Sequence, residues 1–186
     1  MTGVSEYVGK AMSQPYLVIP MAGQSSRFKL AGEPVPKYLL PILGEPMFAW
    51  VLRCFPAESV EPILVFNREA YEAFRTQIDS LVAKYCPSAD VRVIESHKQG
   101  PSWTLAQAGL EGLDQTRRVW VSYCDALSLF DFAAADNEMS SPGGPAAQFV
   151  AIQGLGHPAT AGDNKFAYIK VVKNSCQGVS EKVPFT

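Results

Sequence analysis

Two cations ten residues apart, Arg27 and Lys37, frame the first chemistry this chain can carry. Arg27 closes the run Ala22-Gly23-Gln24-Ser25-Ser26-Arg27, and Lys37 follows Pro36. Gly23 lets backbone approach a ligand closely, Arg27 offers a fixed fork of donors suited to phosphate, and Lys37 offers a compact point charge. A small-residue loop of this kind can present backbone N–H groups to a polyphosphate. It is equally an ordinary connection after a strand. The spelling is neither G-x-x-x-x-G-K-[ST] nor G-x-G-x-x-G, so the P-loop and dinucleotide-binding fingerprints do not apply.

Three further places carry polar groups of useful type. Asp125, in Tyr123-Cys124-Asp125-Ala126-Leu127, stands just past an apolar run. A carboxylate there can give an oxygen ligand to a hard divalent cation such as Mg²⁺, or can simply cap the next turn. The segment His97-Lys98-Gln99-Gly100-Pro101-Ser102-Trp103-Thr104 reads, on residue types alone, as a strand-to-helix turn marked by Gly100 and Pro101. His97 is read as a polar loop residue, because phosphate transfer does not require an imidazole. Glu181-Lys182 is the kind of pair that ordinarily lines a solvated strand edge.

These residues need elements to hold them. The apolar run beginning at Leu17 reads as a buried strand feeding the Gly23 loop. Pro46 sits where a helix starts, with Met47, Trp50, Val51 and Cys54 at helical spacing and a stop before Pro56. Ile63 to Phe66 reads as a second strand. Asn67 caps the helix behind it, whose apolar stripe is Tyr71, Phe74, Ile78, Leu81, Val82 and Tyr85, ending at Pro87. Val91 to Ile94 gives a third strand, the stretch around Trp103, Ala106, Leu110 and Leu113 a third helix, and Val119 to Tyr123 a fourth strand. Strands alternating with helices at this spacing predict a largely parallel sheet covered on both faces. In such sheets ligands bind beyond the carboxyl ends of the strands, so the loops after Ile19, Ile94 and Tyr123 should converge on one crevice.

From Asp131 the rhythm changes. Asp136 to Pro145 is a loop by composition, Gln148 to Gln153 resumes as a strand, and Gly154 to Asn164 is again small and polar. Phe166 to Val172 and Gly178 to Lys182 predict a hairpin around an Asn174–Gln177 turn.

Length and composition narrow the class. A chain of 186 residues predicts one domain, able to bury roughly two-thirds of the surface its unfolded form exposes. With 16 basic and 18 acidic side chains, a net charge of −2 offers no basic excess for nucleic acid, so phosphate recognition falls to a few placed cations. The four cysteines, Cys54, Cys86, Cys124 and Cys176, form no C-x-x-C pair and read as buried thiols of a cytoplasmic protein. Met1 to Gln14 reads as a leader or short helix without a signal-peptide pattern, and nowhere do about 18 apolar residues run together, so no membrane partner is expected.

The run PMAGQSSRF with its continuation AGEPVPKYLLPILGEPMFAWVL resembles the signature of the sugar-phosphate nucleotidylyltransferases, or pyrophosphorylases. In spelling it is similar to a branch that includes cytidylyltransferases and capsule-type enzymes. The resemblance spans more than thirty residues with both cations in register. It implies a three-layer α/β/α domain with a mostly parallel Rossmann-like sheet of the nucleotide-diphospho-sugar transferase (GT-A-like) type. It further implies that Arg27 and Lys37 are catalytic, and that Ala22, Gly23, Ser25 and Ser26 bind the nucleotide. Gln99, Gly100 and Thr104 fall in the base-reading segment, Asp125 at the metal-binding Asp, and Glu181 and Lys182 at the acceptor-facing pair. The pair differs from the family pattern in a shortened spacer and in Val183 preceding Pro184.

The reaction implied joins a nucleoside triphosphate to a sugar phosphate or similar small phosphorylated acceptor, with Mg²⁺ and release of pyrophosphate, supplying a precursor for surface polysaccharide. Family members continue well past the Glu-Lys pair, into a part carrying a second metal carboxylate and some of the acceptor pocket. The resemblance therefore implies a domain shortened at Thr186, and leaves open a nucleotide-binding or regulatory module of the same fold. A GT-A glycosyltransferase is the other alternative; it would carry D-x-D after the fourth strand, where this chain has Cys124-Asp125-Ala126-Leu127.

Overall fold

A computed structural model describes residues 13–140, 167–173 and 175–181. The chain divides into two compact units, residues 1–136 and 137–186. The first unit is built on strand β1 (Tyr16–Met21), all six of whose residues are buried. β1 runs between β4 (Glu61–Asn67) and β6 (Val119–Val121), with β5 (Asp90–Ile94) outside β4, and among the described residues the sheet has these four strands, all paired in parallel. Val18 sits opposite Ile63 on one side and Val121 on the other. A strand segment enclosed on both faces favours apolar residues at successive positions, which is why β1 and Pro62–Phe66 of β4 read as hydrophobic runs rather than alternating ones.

The two faces have separate cores. Leu17, Ile19 and Met21 pack with Leu64 and Phe66 against Phe48 and Val51 of helix α2 (Met47–Leu52) and Ile78 of helix α3 (Arg68–Tyr85). Tyr16 and Val18 pack with Ile63, Val65 and Ile94 against Ala108 and Leu105, at the end of helix α4 (Pro101–Gln107). Period-two alternation along β1 and β4 thus feeds helices on opposite sides of one sheet. Each of these fully buried aliphatic side chains contributes about 1.5–3 kcal/mol.

Several local expectations are corrected. The helix expected through Leu113 stops at Gln107, because Gly109 turns left-handed (φ 66°) and a single 3-10 turn, Leu110–Gly112, follows. Arg92 donates to the carbonyls of Ala108 and Gly109 at 2.5 and 2.7 Å, satisfying groups the broken helix leaves open. β6 ends at Val121 rather than Tyr123. The loop expected from Asp136 is helical as far as Ser140, in α5 (Phe132–Ser140). Asp131 accepts from Ala134 N at 2.9 Å as its cap, and three alanines favour the helix that Asp136, Asn137 and Glu138 disguised.

A short helix and a small hairpin escaped prediction. Helix α1 (Ser26–Leu30) follows the Gly23 loop directly. Strands β2 (Pro41–Ile42) and β3 (Glu45–Pro46) form a small hairpin whose turn residues, Leu43 and Gly44, both have positive φ, the geometry that matches strand twist.

In the second unit β7 (Ala167–Val172) and β8 (Ser175–Glu181) form the expected antiparallel hairpin. Val172 pairs with Ser175, so the connection is tighter than the expected Asn174–Gln177 turn. Lys170 pairs with Gly178 and Val171 with Cys176, which makes Gln177 the extra residue of a bulge. The leader up to residue 12, the rest of the loop to Pro145, the strand Gln148–Gln153, the segment Gly154–Asn164 and Lys182 lie outside the described residues. Among the described residues no helix is long and apolar enough to cross a membrane.

Candidate active site

The loop leaving β1 begins at Ala22, which is buried, and reaches solvent at Gly23. Ser25 adopts a positive φ of 50°, a conformation that costs a non-glycine residue about 1–2 kcal/mol and marks an imposed geometry. Its carbonyl accepts from Phe28 N and Lys29 N at 2.9 and 3.0 Å, starting α1. Its hydroxyl accepts from Lys37 N at 3.1 Å, so the loop and the Pro36-Lys37 pair are hydrogen-bonded to each other. Gly23 has no atom within 4 Å of where a Cβ would lie, which leaves its backbone open to a ligand.

Lys37 opens a 3-10 turn, Lys37–Leu39, anchored by Tyr38 and Leu39 in the core. The Tyr38 ring meets Phe66 edge-on at 5.5 Å. With its backbone held this way, Lys37 directs Nζ to 2.6 Å from Asp125 Oδ2, both side chains being part-exposed. Asp125 follows the buried Cys124, whose thiol is pushed up to about 11 by burial, Lys37 acting against and Asp125 with that effect. Cys124 packs as part of the core on that side of the sheet.

Asn67, 4% exposed at the end of β4, touches two loops and the first turn of α3. Its Oδ1 accepts from Ala70 N at 2.7 Å, the expected cap of α3. Its Nδ2 lies 3.4 Å from the carbonyl of Ala22 and 3.5 Å from that of Gly23, while Ser96 Oγ, beyond β5, stands 3.5 Å from Oδ1. The loops after β1 and β5 and the start of α3 are joined here, and the loop after β6 joins the β1 loop through the Asp125–Lys37–Ser25 chain.

The Gln99 segment is ordered by His97 and Thr104. His97 Nδ1 accepts from Gln99 N at 3.3 Å, so the ring hydrogen resides on Nε2 and points at Thr104 Oγ1, 3.0 Å away. The buried Thr104 hydroxyl in turn donates to Gly100 O at 3.5 Å. Gly100, ahead of Pro101, has φ 86° and ψ −178°, backbone open essentially to glycine alone. A cleft of about 420 Å³ lies alongside, lined by Arg68, Glu95, His97, Gln99, Trp103 and Gln107 among others. A second cleft of about 540 Å³ follows the signature loop past Gly23, Gln24, Ser25, Lys29 and Asn67.

The structure therefore unites Ser25, Lys37 and Asp125, ties Ala22 and Gly23 to Asn67, and joins Gln99, Gly100 and Thr104 through His97. Ser26 and Arg27 open α1. Glu181 ends β8 in the second unit. Residue-type reasoning saw Asn67 only as a helix cap and passed over Arg68 and Trp103. The available signal was their sequence position, at the carboxyl end of a buried strand and inside the Gln99 segment.

The class these features define is a nucleotidyltransferase-type α/β enzyme domain. The chain belongs to the MobA-like NTP transferase domain family, which matches residues 17–174. Its fold is similar to that of a nucleoside-diphosphate-sugar pyrophosphorylase from Vibrio cholerae RC9, with TM-score 0.60 and 19% identity over 91% of this chain and 68% of that one. A UDP-glucose pyrophosphorylase complexed with UDP-glucose gives 0.59 at 14% identity, covering 92% and 70%. A UTP-bound UGPase from Acinetobacter baumannii gives 0.53 at 16%, covering 92% and 69%. No curated protein matches by sequence.

Proposed function

We propose that this chain transfers a nucleotidyl group to a small phosphorylated acceptor, a sugar phosphate by preference. A phosphate oxygen of the acceptor attacks the α-phosphorus of a nucleoside triphosphate. The bond from that phosphorus to the bridging oxygen breaks, and pyrophosphate leaves with the electron pair. The observation that carries this reading is the assembly of Ser25, Lys37 and Asp125 beyond the carboxyl ends of β1 and β6, in a chain that matches an NTP transferase family over residues 17–174. Catalysis of this kind rests on positioning and charge neutralisation rather than on a covalent intermediate.

Ala22, Gly23, Ser25 and Ser26 form the loop around the triphosphate, Arg27 neutralises the departing pyrophosphate, and Lys37 contacts the nucleotide phosphates. Gln99, Gly100 and Thr104 define the base-reading side, where Trp103 and Arg68 line the neighbouring cleft. Glu181 and Lys182 serve the acceptor phosphate. The donor set fits Mg²⁺ of the kind held by one carboxylate together with substrate phosphates, because Asp125 offers a hard, part-exposed oxygen beside Lys37. When bound, the ion supplies positive charge to the phosphate oxygens. The product, a nucleotide-activated sugar, is a cytoplasmic precursor for surface polysaccharide.

The test is a matrix of the four ribonucleoside triphosphates and dTTP against a panel of sugar 1-phosphates with Mg²⁺, read by pyrophosphate release. Release with one pair supports the proposal. Nucleotide binding without release for any pair would replace transfer with a binding module.

A further inference from the structure

We propose that Asn67 is a positioning residue that sets the donor face of the signature loop; this rests on reading that loop as the triphosphate site. A buried carboxamide has two donors and an acceptor to place, and its orientation follows from the strongest partner. Here that partner is Ala70 N–H, 2.7 Å from Oδ1. With the oxygen committed to the cap of α3 and approached by Ser96 Oγ as well, the NH₂ group must turn the other way, toward the carbonyls of Ala22 and Gly23.

Those carbonyls lie just past Met21, where β1 ends. In a trans peptide the C=O and the following N–H point in opposite directions. Among the described residues no peptide bond is cis. Holding Ala22 O and Gly23 O against Asn67 therefore aims the N–H groups of Gly23 and Gln24 away from it. Two successive backbone donors are set side by side along a loop that runs past the open Gly23. The same side chain fixes the start of α3, so the loop's orientation is referenced to the second strand of the sheet and to Ser96 beyond the third.

Asn67→Asp tests this directly. Aspartate keeps the cap acceptor but removes the NH₂ group and sets a charge against two carbonyl oxygens. In the free protein, amide exchange over residues 20–28 should speed up tenfold or more, beside a lowered melting temperature from the buried charge that Asn67→Ser does not introduce. KM for the nucleotide should rise at least tenfold while KM for the acceptor stays unchanged, and Asn67→Ser, which also keeps a cap but cannot reach the loop, should behave alike. Asn67→Ser alone decides the matter should the aspartate variant not fold. Wild-type loop exchange and wild-type nucleotide KM in the folded variants would reduce Asn67 to a helix cap. A wild-type chain that binds no triphosphate would sink the reading of the site, yet the exchange comparison would still decide whether Asn67 positions the loop.

Discussion

Lys37 Nζ and Asp125 Oδ2 lie 2.6 Å apart, bringing together two side chains 88 residues distant in sequence. Part-exposed pairs of this kind contribute about 0–1 kcal/mol to stability, so the pair's importance lies in the site rather than in the fold. Lys37→Ala should lower kcat/KM by about 100-fold or more, the loss typical of a charge-stabilising donor, while shifting the melting midpoint only slightly. Steady-state kinetics beside thermal melts checks both halves, and a collapse in stability without a specific kinetic loss would contradict the assignment.

Arg27→Ala should cut turnover by orders of magnitude with the fold intact, since a loop-proximal cation adds little to a core. Unchanged pyrophosphate release in that variant would remove Arg27 from the site.

Gly100→Ala should be damaging although a Cβ there meets nothing within 4 Å. The penalty is conformational: φ 86° with ψ −178° costs a non-glycine residue about 1–3 kcal/mol. The strain sits between His97 and Thr104, so nucleotide affinity, measured by calorimetry, should fall along with the melting temperature.

Tyr38→Phe should stabilise the protein. The Tyr38 hydroxyl is buried with no hydrogen-bond partner among the described residues, and burial, with Cys124 nearby, holds the phenol above its usual range. An unpaired buried hydroxyl costs about 1–3 kcal/mol, while the edge-on contact of the ring with Phe66 survives the change. Denaturant titration should show a higher midpoint at unchanged slope; a lower midpoint would mean that the hydroxyl has a partner.

Asp136 should confer acid sensitivity. Burial pushes its carboxyl up, but hydrogen bonds from Arg118 and Trp120 more than offset this and hold it below the ordinary aspartate value of about 3.9. A depressed native pKa stabilises above the unfolded value, and that stabilisation is lost as pH falls through the folded value. The difference in melting temperature between wild type and Asp136→Asn should be flat at neutral pH and shrink below about pH 4.

The parallel sheet and its flanking helices were legible because burial on both faces writes itself as continuous apolar runs, at Leu17 and at Ile63 alike. Asn67 was legible as a cap from its place before a helical stripe, but not as a link to Ala22 and Gly23, which lie 45 and 44 residues away. Long-range pairing leaves no local trace, and the Lys37–Asp125 pair was hidden for the same reason. The helix break at Gly109 and the helicity of Asp136 to Ser140 were misread because one glycine's left-handed turn and one aspartate's cap outweighed the composition around them.

β1 sits between β4 and β6, with a separate core on each of its faces, and the signature loop grows directly from its last residue. The order in which the site comes apart follows from that placement. Among the described residues β5 and β6 are the outer strands of the sheet, so local opening there would free Gln99 or Asp125 singly. The loop's foundation, enclosed on both faces and paired on both edges, belongs to the most protected part of the first unit, so partial opening there costs the site its partners before its origin.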